Sequence, residues 1–297
     1  MKNIVVTGGS GFIGSHVVDN LISKDFNVII ADQRLERFSQ RDDVDYTFMD
    51  IRDEVQVTEC FARADGFIHL AGVLGTQETI TNPLPAAMTN ILGGLNIFEA
   101  ANQYDLRGVY IAVGNHWMNN TYSISKTTAE RFAQMFNNER NGKIAVVRAL
   151  NAYGPNQKPA PPWGSSKVRK IIPNFIMPAL KDETITIYGD GTQIMDMIYV
   201  KDVAEVLVQA LVNENTTYDK IYEAGSGLRT TVNEIAEEVI KITGTGKIEH
   251  VPMRPGEPEN SVVIGNPETI KSIFEGELTS LKEGLEITVD YYKNNYL

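Results

Sequence analysis

The stretch KNIVVTGGSGFIGSHVVDNLISKDFNVIIAD, residues 2–32, decides the fold. Ile4, Val5 and Val6 form a short β-branched apolar run, the pattern of a strand buried on both faces. Gly9, Gly11 and Gly14 follow at G-x-G-x-x-G spacing, and Phe12, Ile13, Val17, Val18, Leu21 and Ile22 then recur at helical spacing. Glycine lets a phosphate approach the backbone without meeting a Cβ atom, and the amino end of the next helix offers free N–H groups and the positive end of its dipole. Val28 to Ala31 is a second strand that ends in Asp32, about 20 residues beyond the glycines, where a carboxylate accepts hydrogen bonds from a ribose diol. Strand, glycine turn, helix, strand and acid in this order predict a dinucleotide site. Asp32 favours NAD over NADP because an acid repels a 2′-phosphate; Arg34, two residues on, is the counter-signal.

The 297 residues are enough for one sizeable α/β core and a smaller lobe. With 42% hydrophobic and 22% charged residues the composition is that of a soluble globular protein. Against 27 basic side chains stand 38 acidic ones, a net charge of −11, which disfavours nucleic acid and anionic membranes as partners. No apolar run approaches a membrane span, and the amino terminus opens on a core strand rather than a signal peptide, so the expected location is the cytoplasm. Cys60 is the only cysteine, so neither an intrachain disulfide nor a cysteine-based zinc site is expected; it reads as a small buried apolar residue, and no metal is expected.

Past Asp32 a polar run leads to VDYTFMDIRD, a third strand. Asp50 and Ile51 at its end are placed to bracket an adenine, with Asp53 as the cap of the helix EVQVTECFARA. GFIHLAG, residues 66–72, is a fourth strand whose small terminal residues, Ala71 and Gly72, let backbone approach the cofactor; His69 has no partner evident in sequence and reads as structural. Residues 76–85 form a loop or short helix, 90–104 a helix, and Gly108 to Val113 a fifth strand. The alternation demands a doubly wound parallel sheet, a Rossmann-type α/β fold.

Tyr122 and Lys126 then stand i, i+4, on one face of a helix running to about Asn138. A lysine ammonium beside a phenol favours the phenolate and makes Tyr122 a usable acid/base, while the same lysine can donate to a nicotinamide ribose.

With these motifs in hand the chain resembles an extended short-chain dehydrogenase/reductase of the nucleotide-sugar epimerase/dehydratase family. The resemblance rests on TGGSGFIG (7–14), Asp32, Asp50 and Ile51, HLAG (69–72), Asn90, YSISK (122–126), RALNAYGP (148–155), YGDG (188–191), DMIYVKD (196–202) and RPGE (254–257). It implies a catalytic Tyr122 and Lys126. It also implies a cofactor site of Gly8, Gly11, Phe12, Ile13, Gly14, Asp32, Asp50, Ile51, Leu70, Ala71, Gly72 and Asn90 around NAD, joined by Tyr122 and Lys126. Relatives pair as homodimers through helices equivalent to residues 90–104 and 122–138.

The chain departs from the family between strand five and Tyr122. The resemblance implies a Ser or Thr there, followed by a loop well over a dozen residues long, but here Ala112, Val113, Gly114 and Asn115 lead almost directly to Tyr122. Asn115, Thr121, His116 and Ser123 are the polar residues at hand, Asn115 and Thr121 first by position, with Thr76 reaching in from another loop. The shortening speaks against a dehydratase, which carries an Asp-Glu pair after that hydroxyl, and against a decarboxylase, which carries a Glu.

Lys143 to Leu150 is the sixth strand, and the resemblance gives Asn151 beyond it a substrate contact. QKPAPPWGSSKVRKIIP gathers Lys158, Lys167, Arg169 and Lys170 and reads either as a solvated loop or as a flap over a nucleotide diphosphate, with Trp163 or Phe175 against base or sugar. Relatives often carry Arg before the equivalent of Asp196; here it is Met195, leaving Arg254 as the expected diphosphate ligand. Asp202 is expected to cap the helix after DMIYV, and helices are expected over 231–243 and 278–292. The division that follows is an NAD-binding domain over 1–154 with a return segment at about 192–212, and a substrate lobe over 155–191 and 213–297. The expected activity is epimerisation at C4 of an NDP-hexose, a UDP-sugar foremost; a reductase of an NDP-4-keto-6-deoxysugar and a non-catalytic dinucleotide sensor are the alternatives.

Overall fold

The structure, a computed structural model, describes residues 2–34 and 42–297; the middle of the polar run after Asp32 lies outside the described residues. The first half contains β1 (Asn3–Thr7), α1 (Phe12–Ser23), β2 (Asn27–Asp32), β3 (Asp45–Phe48), α2 (Glu54–Phe61), β4 (Gly66–His69), α3 (Leu84–Ala87), α4 (Gly93–Gln103) and β5 (Arg107–Val113). It continues with α5 (Thr121–Arg140), β6 (Lys143–Ala149), β7 (Asn151–Tyr153), α6 (Ile171–Leu180), β8 (Thr184–Tyr188), β9 (Ile194–Met195), β10 (Met197–Tyr199), α7 (Val200–Val212) and β11 (Ile221–Ala224). Last come β12 (Thr230–Thr231), α8 (Val232–Thr243), β13 (Lys247–Val251), β14 (Val262–Val263) and α9 (Leu281–Tyr296).

Seven strands lie parallel in the order β11-β6-β5-β4-β1-β2-β3. The apolar runs read from the sequence are explained by burial on both faces: Val6, Ile30, Ile68 and Val147 pack toward α1 and α7, while Val5, Ile29, Phe67 and Tyr110 pack toward α4 and α5. With both faces covered, a ligand has access only to the edges. The chain reverses direction across the sheet between β1 and β4, and the crevice at the carboxyl ends there is where such sheets bind ligands.

The helix foreseen over 90–104 begins earlier, at Leu84 behind Pro83, and passes through a π-helical turn, Met88–Leu92, that holds Asn90. Asp53 caps α2 as expected, its Oδ1 accepting from the N–H groups of Val55 and Gln56 at 3.0 and 3.1 Å. Asp202 does not cap α7. That helix starts at Val200 with Tyr199 in the cap position, and the Asp202 carboxylate turns away to accept from Thr279 N and Oγ1 at 2.7 and 3.1 Å.

The lobe has its own core of Ile172, Phe175, Ile187, Ile235, Leu285 and Tyr292, and the return segment does bring α7 back to pack beside α1. One part of the expected division fails. Ile221–Ala224, placed by sequence in the lobe, is the edge strand of the main sheet, paired with β6; four residues without a flanking motif carry too little pattern to be assigned to a sheet.

The junction of sheet and lobe is held by Asp196, fully buried between β9 and β10. Its Oδ1 accepts from Ser226 N and Oγ at 2.8 and 2.6 Å, its Oδ2 from Gly227 N and Gly265 N at 2.9 and 3.0 Å, and its backbone carbonyl accepts from Asn151 N and Nδ2, both at 3.1 Å. Replacing Asp196 by Ala leaves one buried and two half-buried backbone donors without their acceptor, so Asp196→Ala should cost about 3 kcal/mol in urea unfolding. A loss below about 1 kcal/mol would show that other acceptors take over those donors.

Candidate active site

A cleft of about 980 Å³ runs along the carboxyl edge of the sheet and under the lobe. At one end lies the glycine turn. Gly8 has φ +70°, and a Cβ there would stand 2.8 Å from Ala71 N; a Cβ on Gly14 would stand 2.3 Å from Gly8 O. The glycines thus let the exit of β1 press against the exit of β4 and let α1 start directly on the turn. Asp53, Asn120, Thr231 and Ser280 cap α2, α5, α8 and α9 with side-chain acceptors, but α1 has no such cap among the described residues. Its first N–H groups, with Gly11, Phe12, Ile13 and Gly14 on the cleft wall, are therefore available to a pyrophosphate. Asp32, nearly buried, also lines the cleft; its Oδ2 accepts from Ser10 N at 3.1 Å and its Oδ1 from Arg34 N at 3.0 Å, which fixes the carboxylate where a ribose diol is expected. These features fit a dinucleotide.

Leu70, Ala71 and Gly72 line the cleft as foreseen. Thr7 holds this backbone: its hydroxyl oxygen accepts from Leu70 N and Ala71 N at 3.2 and 3.3 Å and, having one proton, donates it to His69 Nδ1 at 2.6 Å. Burial holds the pKa of His69 well below the usual imidazole range, with Lys126 adding to the effect. Thr7 is the structural partner that the sequence did not reveal.

Two expected cofactor residues stand elsewhere. The Asp50 carboxylate is clasped by Arg52, with Nε 3.0 Å from Oδ1 and Nη2 2.5 Å from Oδ2, and that guanidinium holds its pKa below the usual carboxylate range. Ile51 and Arg52 reach the cleft wall and Asp50 does not: its carboxylate is turned toward the Arg52 guanidinium. Asn90 is 2% exposed; its Oδ1 accepts from Val73 N at 2.8 Å, and its Nδ2 donates to Val73 O and Ser125 Oγ at 3.0 and 2.9 Å. It clamps the loop after β4 to α5 from behind the cleft.

Asn120 caps α5 through its Oδ1 and the Ser123 N–H at 2.9 Å, which places Tyr122 and Lys126 on its first two turns and on the cleft wall. Lys126 is 4% exposed. Its Nζ lies 4.2 Å above the centre of the Tyr110 ring, and the Tyr110 hydroxyl donates to the Lys126 carbonyl at 2.9 Å. One turn on, Glu130 is buried and takes Arg148 Nε and Nη2 at 2.9 and 2.6 Å, and Arg148 also reaches Glu223 at 3.3 Å, tying α5 to β6 and β11. Burial draws Lys126 down to about 7, with Glu130 opposing, and pushes Tyr122 up to about 12. The expected depression of the phenol by the lysine is thus absent: desolvation of both groups outweighs their mutual effect.

Of the candidates to replace the missing hydroxyl, Asn115 and Thr76 line the cleft, and Thr121, the first residue of α5, does not. Among the described residues Asn115 Nδ2 has only the Met118 sulfur, at 3.5 Å. At the lobe end Asn151, Lys167, Arg169 and Arg254 all reach the wall, as do Trp163, Phe175 and Met195. Arg254 lies 4.8 Å from the centre of the Tyr188 ring and pairs with Glu257 at 2.5 Å. Burial lowers the pKa of Lys170, with Glu78 and Glu257 opposing and Arg254 adding to the effect. Glu78 and Glu257 were not singled out from sequence, although Glu257 stands in the quoted RPGE.

Gly14→Ala tests the fit at the first end. The 2.3 Å approach to Gly8 O cannot be met without moving the turn. NAD affinity by isothermal titration should fall about tenfold or more with the far-ultraviolet dichroism unchanged, since overpacking of this kind costs about 1–3 kcal/mol; an unchanged Kd would show that the turn does not form the site.

Residues 4–225 match the NAD dependent epimerase/dehydratase family. A Methanocaldococcus jannaschii protein provisionally named UDP-glucose 4-epimerase is 30% identical over 98% of this chain and 99% of its own. The crystal structure of the Thermus thermophilus UDP-glucose 4-epimerase in complex with NAD superposes with a TM-score of 0.86 at 27% identity, covering 99% of both chains. The Thermotoga maritima UDP-glucose 4-epimerase with UDP-glucose superposes with a TM-score of 0.86 at 28% identity, covering 98% of this chain and 99% of that one. The chain belongs to the NAD dependent epimerase/dehydratase family, and NAD is its cofactor.

Proposed function

We propose that this protein epimerises an NDP-hexose at C4, a UDP-sugar foremost, through a transient 4-keto sugar. The observation that carries the reading is the position of Tyr122 and Lys126. They line the same cleft as the start of α1 and the cations Lys167, Arg169 and Arg254. A dinucleotide fits the first end and a nucleotide diphosphate the second, which sets the sugar between them. The UDP-glucose 4-epimerases that the chain resembles support the same reading.

Bound NAD supplies a hydride acceptor that returns what it takes, so no net reductant is needed. The residues around it have separate tasks. The amino end of α1 holds the pyrophosphate, Asp32 the ribose diol, and Lys126 the nicotinamide ribose. Tyr122 takes the proton from the C4 hydroxyl and gives it back after the keto sugar has turned its other face. A charged Lys126 beside the phenol is this chain's own means of favouring the phenolate against the burial that raises it. Asn115 and Thr76 stand in for the missing hydroxyl by holding the sugar, Asn115 being the better placed because its amide gives up only a weak sulfur contact. Asn151 adds a polar contact to the sugar, and the cations of the far wall hold the diphosphate in place of the arginine that Met195 replaces. Leu74, Met118 and Met195 on the wall keep water from the keto sugar.

We propose further that the protein acts in the cytoplasm as a homodimer. Met88, Leu92, Ile124 and Met135 are 41%, 37%, 53% and 37% exposed on the π-helical turn before α4 and on α5, an apolar face suited to a second copy.

Incubation with UDP-, dTDP- and GDP-hexoses should yield the C4 epimer of at least one of them with only catalytic NAD. Tyr122→Phe should lower kcat about 100-fold or more while leaving NAD binding in place. Stoichiometric oxidation of NADH or NADPH by a 4-keto-6-deoxysugar, without epimerisation of any hexose, would overturn the reading in favour of a reductase.

A further inference from the structure

Lys126 holds its charge in an unusual setting. It is 4% exposed, and among the described residues no carboxylate, carbonyl or hydroxyl takes a hydrogen bond from its Nζ. Glu130, the nearest acid on α5, is committed to Arg148 on β6 by two hydrogen bonds. Tyr122 faces Lys126 from the same helix. From β4, His69 is held uncharged by burial and by Lys126 itself, and as a base it offers no countercharge. What lies against the ammonium is the face of the Tyr110 ring on β5, 4.2 Å away.

The same residue touches Lys126 a second time, through the hydrogen bond from its hydroxyl to the Lys126 carbonyl. Tyr110 is itself immobilised: it is fully buried, with the Phe98 ring edge-on at 5.5 Å and the His69 ring at 5.7 Å. An aromatic face carries negative charge density and attracts a cation most strongly where water is excluded.

We propose that Tyr110 is the positioning residue for Lys126, fixing the lysine backbone through its hydroxyl and sustaining the ammonium through its ring face. The proposal deepens the reading that Lys126 serves the reaction. The direction of the effect follows from the charge: the ring favours the protonated lysine, so weakening the ring makes Lys126 lose its proton at lower pH. The burial that already draws Lys126 toward neutrality makes this compensation matter at the pH of the cell.

The test separates the two contacts: Tyr110→Phe removes the hydrogen bond to the Lys126 carbonyl, and fluorination of that ring then changes only the charge of its face. Tyr110→Phe and its trifluoro- and pentafluorophenylalanine counterparts, introduced by non-natural amino-acid incorporation, form an isosteric series with a progressively weaker negative face. The titration of Lys126 is read directly in the full chain from the 13C shift of labelled lysine Cε, the signal being assigned by its loss in Lys126→Met. Tyr110→Phe should leave the midpoint within about 0.3 pH unit, and the fluorinated members should lower it stepwise by about one pH unit in all. A flat series overturns the proposal. Turnover against pH is then measured on the same proteins, and its basic limb should move with the lysine. If the lysine titration shifts and the turnover profile does not, the contact stands and the role of Lys126 in the reaction falls.

Discussion

The close approach of the exits of β1 and β4 is the constraint on which the cleft depends. Gly8, at φ +70°, brings its backbone to where a Cβ would stand 2.8 Å from Ala71 N, and Thr7 ties the same segment down through Leu70, Ala71 and His69. A left-handed conformation and a backbone contact this tight both require glycine. Because the two strands meet there at the switch point of the sheet, the turn that joins β1 to α1 is left facing open space, and α1 begins without a side-chain cap. Unpaired N–H groups at a helix start are costly unless water or a ligand satisfies them, and a pyrophosphate answers that need. The same edge of the sheet carries Tyr122 and Lys126 at the start of the helix after β5, so the cofactor end of the cleft and the proposed acid/base pair share one wall.

The chemistry is governed by a contest between burial and charge. Burial raises the Tyr122 phenol to about 12 and draws Lys126 to about 7, each movement opposing the charged form that acid/base work needs. The fold answers with interactions that do not use up the lysine donors: an aromatic face beneath Nζ and a carboxylate, Glu130, held one turn away by Arg148. Had Glu130 paired with Lys126 directly, one of the three ammonium donors would be taken up and the side chain drawn toward the carboxylate; as it stands, all three donors are left for ligands.

Local pattern carried much of this into view from sequence. The residue spacing of β1, α1 and β2 is a property of contiguous chain, and the cap at Asp53 and the shared face of Tyr122 and Lys126 follow from helical geometry alone. Apart from the misassigned strand Ile221–Ala224 and the early start of the helix before Asn90, the errors lie where a side chain chose between neighbours that sequence does not rank. Asp50 turned to Arg52 rather than to the cleft. Asn90 satisfied the backbone of Val73 and a serine 35 residues away. Asp202 reached Thr279, 77 residues on, in preference to its own helix. Thr121 became the first residue of α5 off the cleft wall, because the cap fell on Asn120. Asp196 showed itself only as part of a motif, while its role as the pin between sheet and lobe depends on donors from two distant turns.

The central claim is that the sugar is oxidised and reduced at C4 by a hydride that never leaves the cleft, with Tyr122 moving only the hydroxyl proton. Proton NMR of a UDP-hexose turned over in D2O tests it most directly. Both epimers should keep full protium at C4 through many turnovers, with no net NADH required. Deuterium entering C4 would contradict the account, since it would mean that the carbon-bound hydrogen exchanges with solvent as a proton.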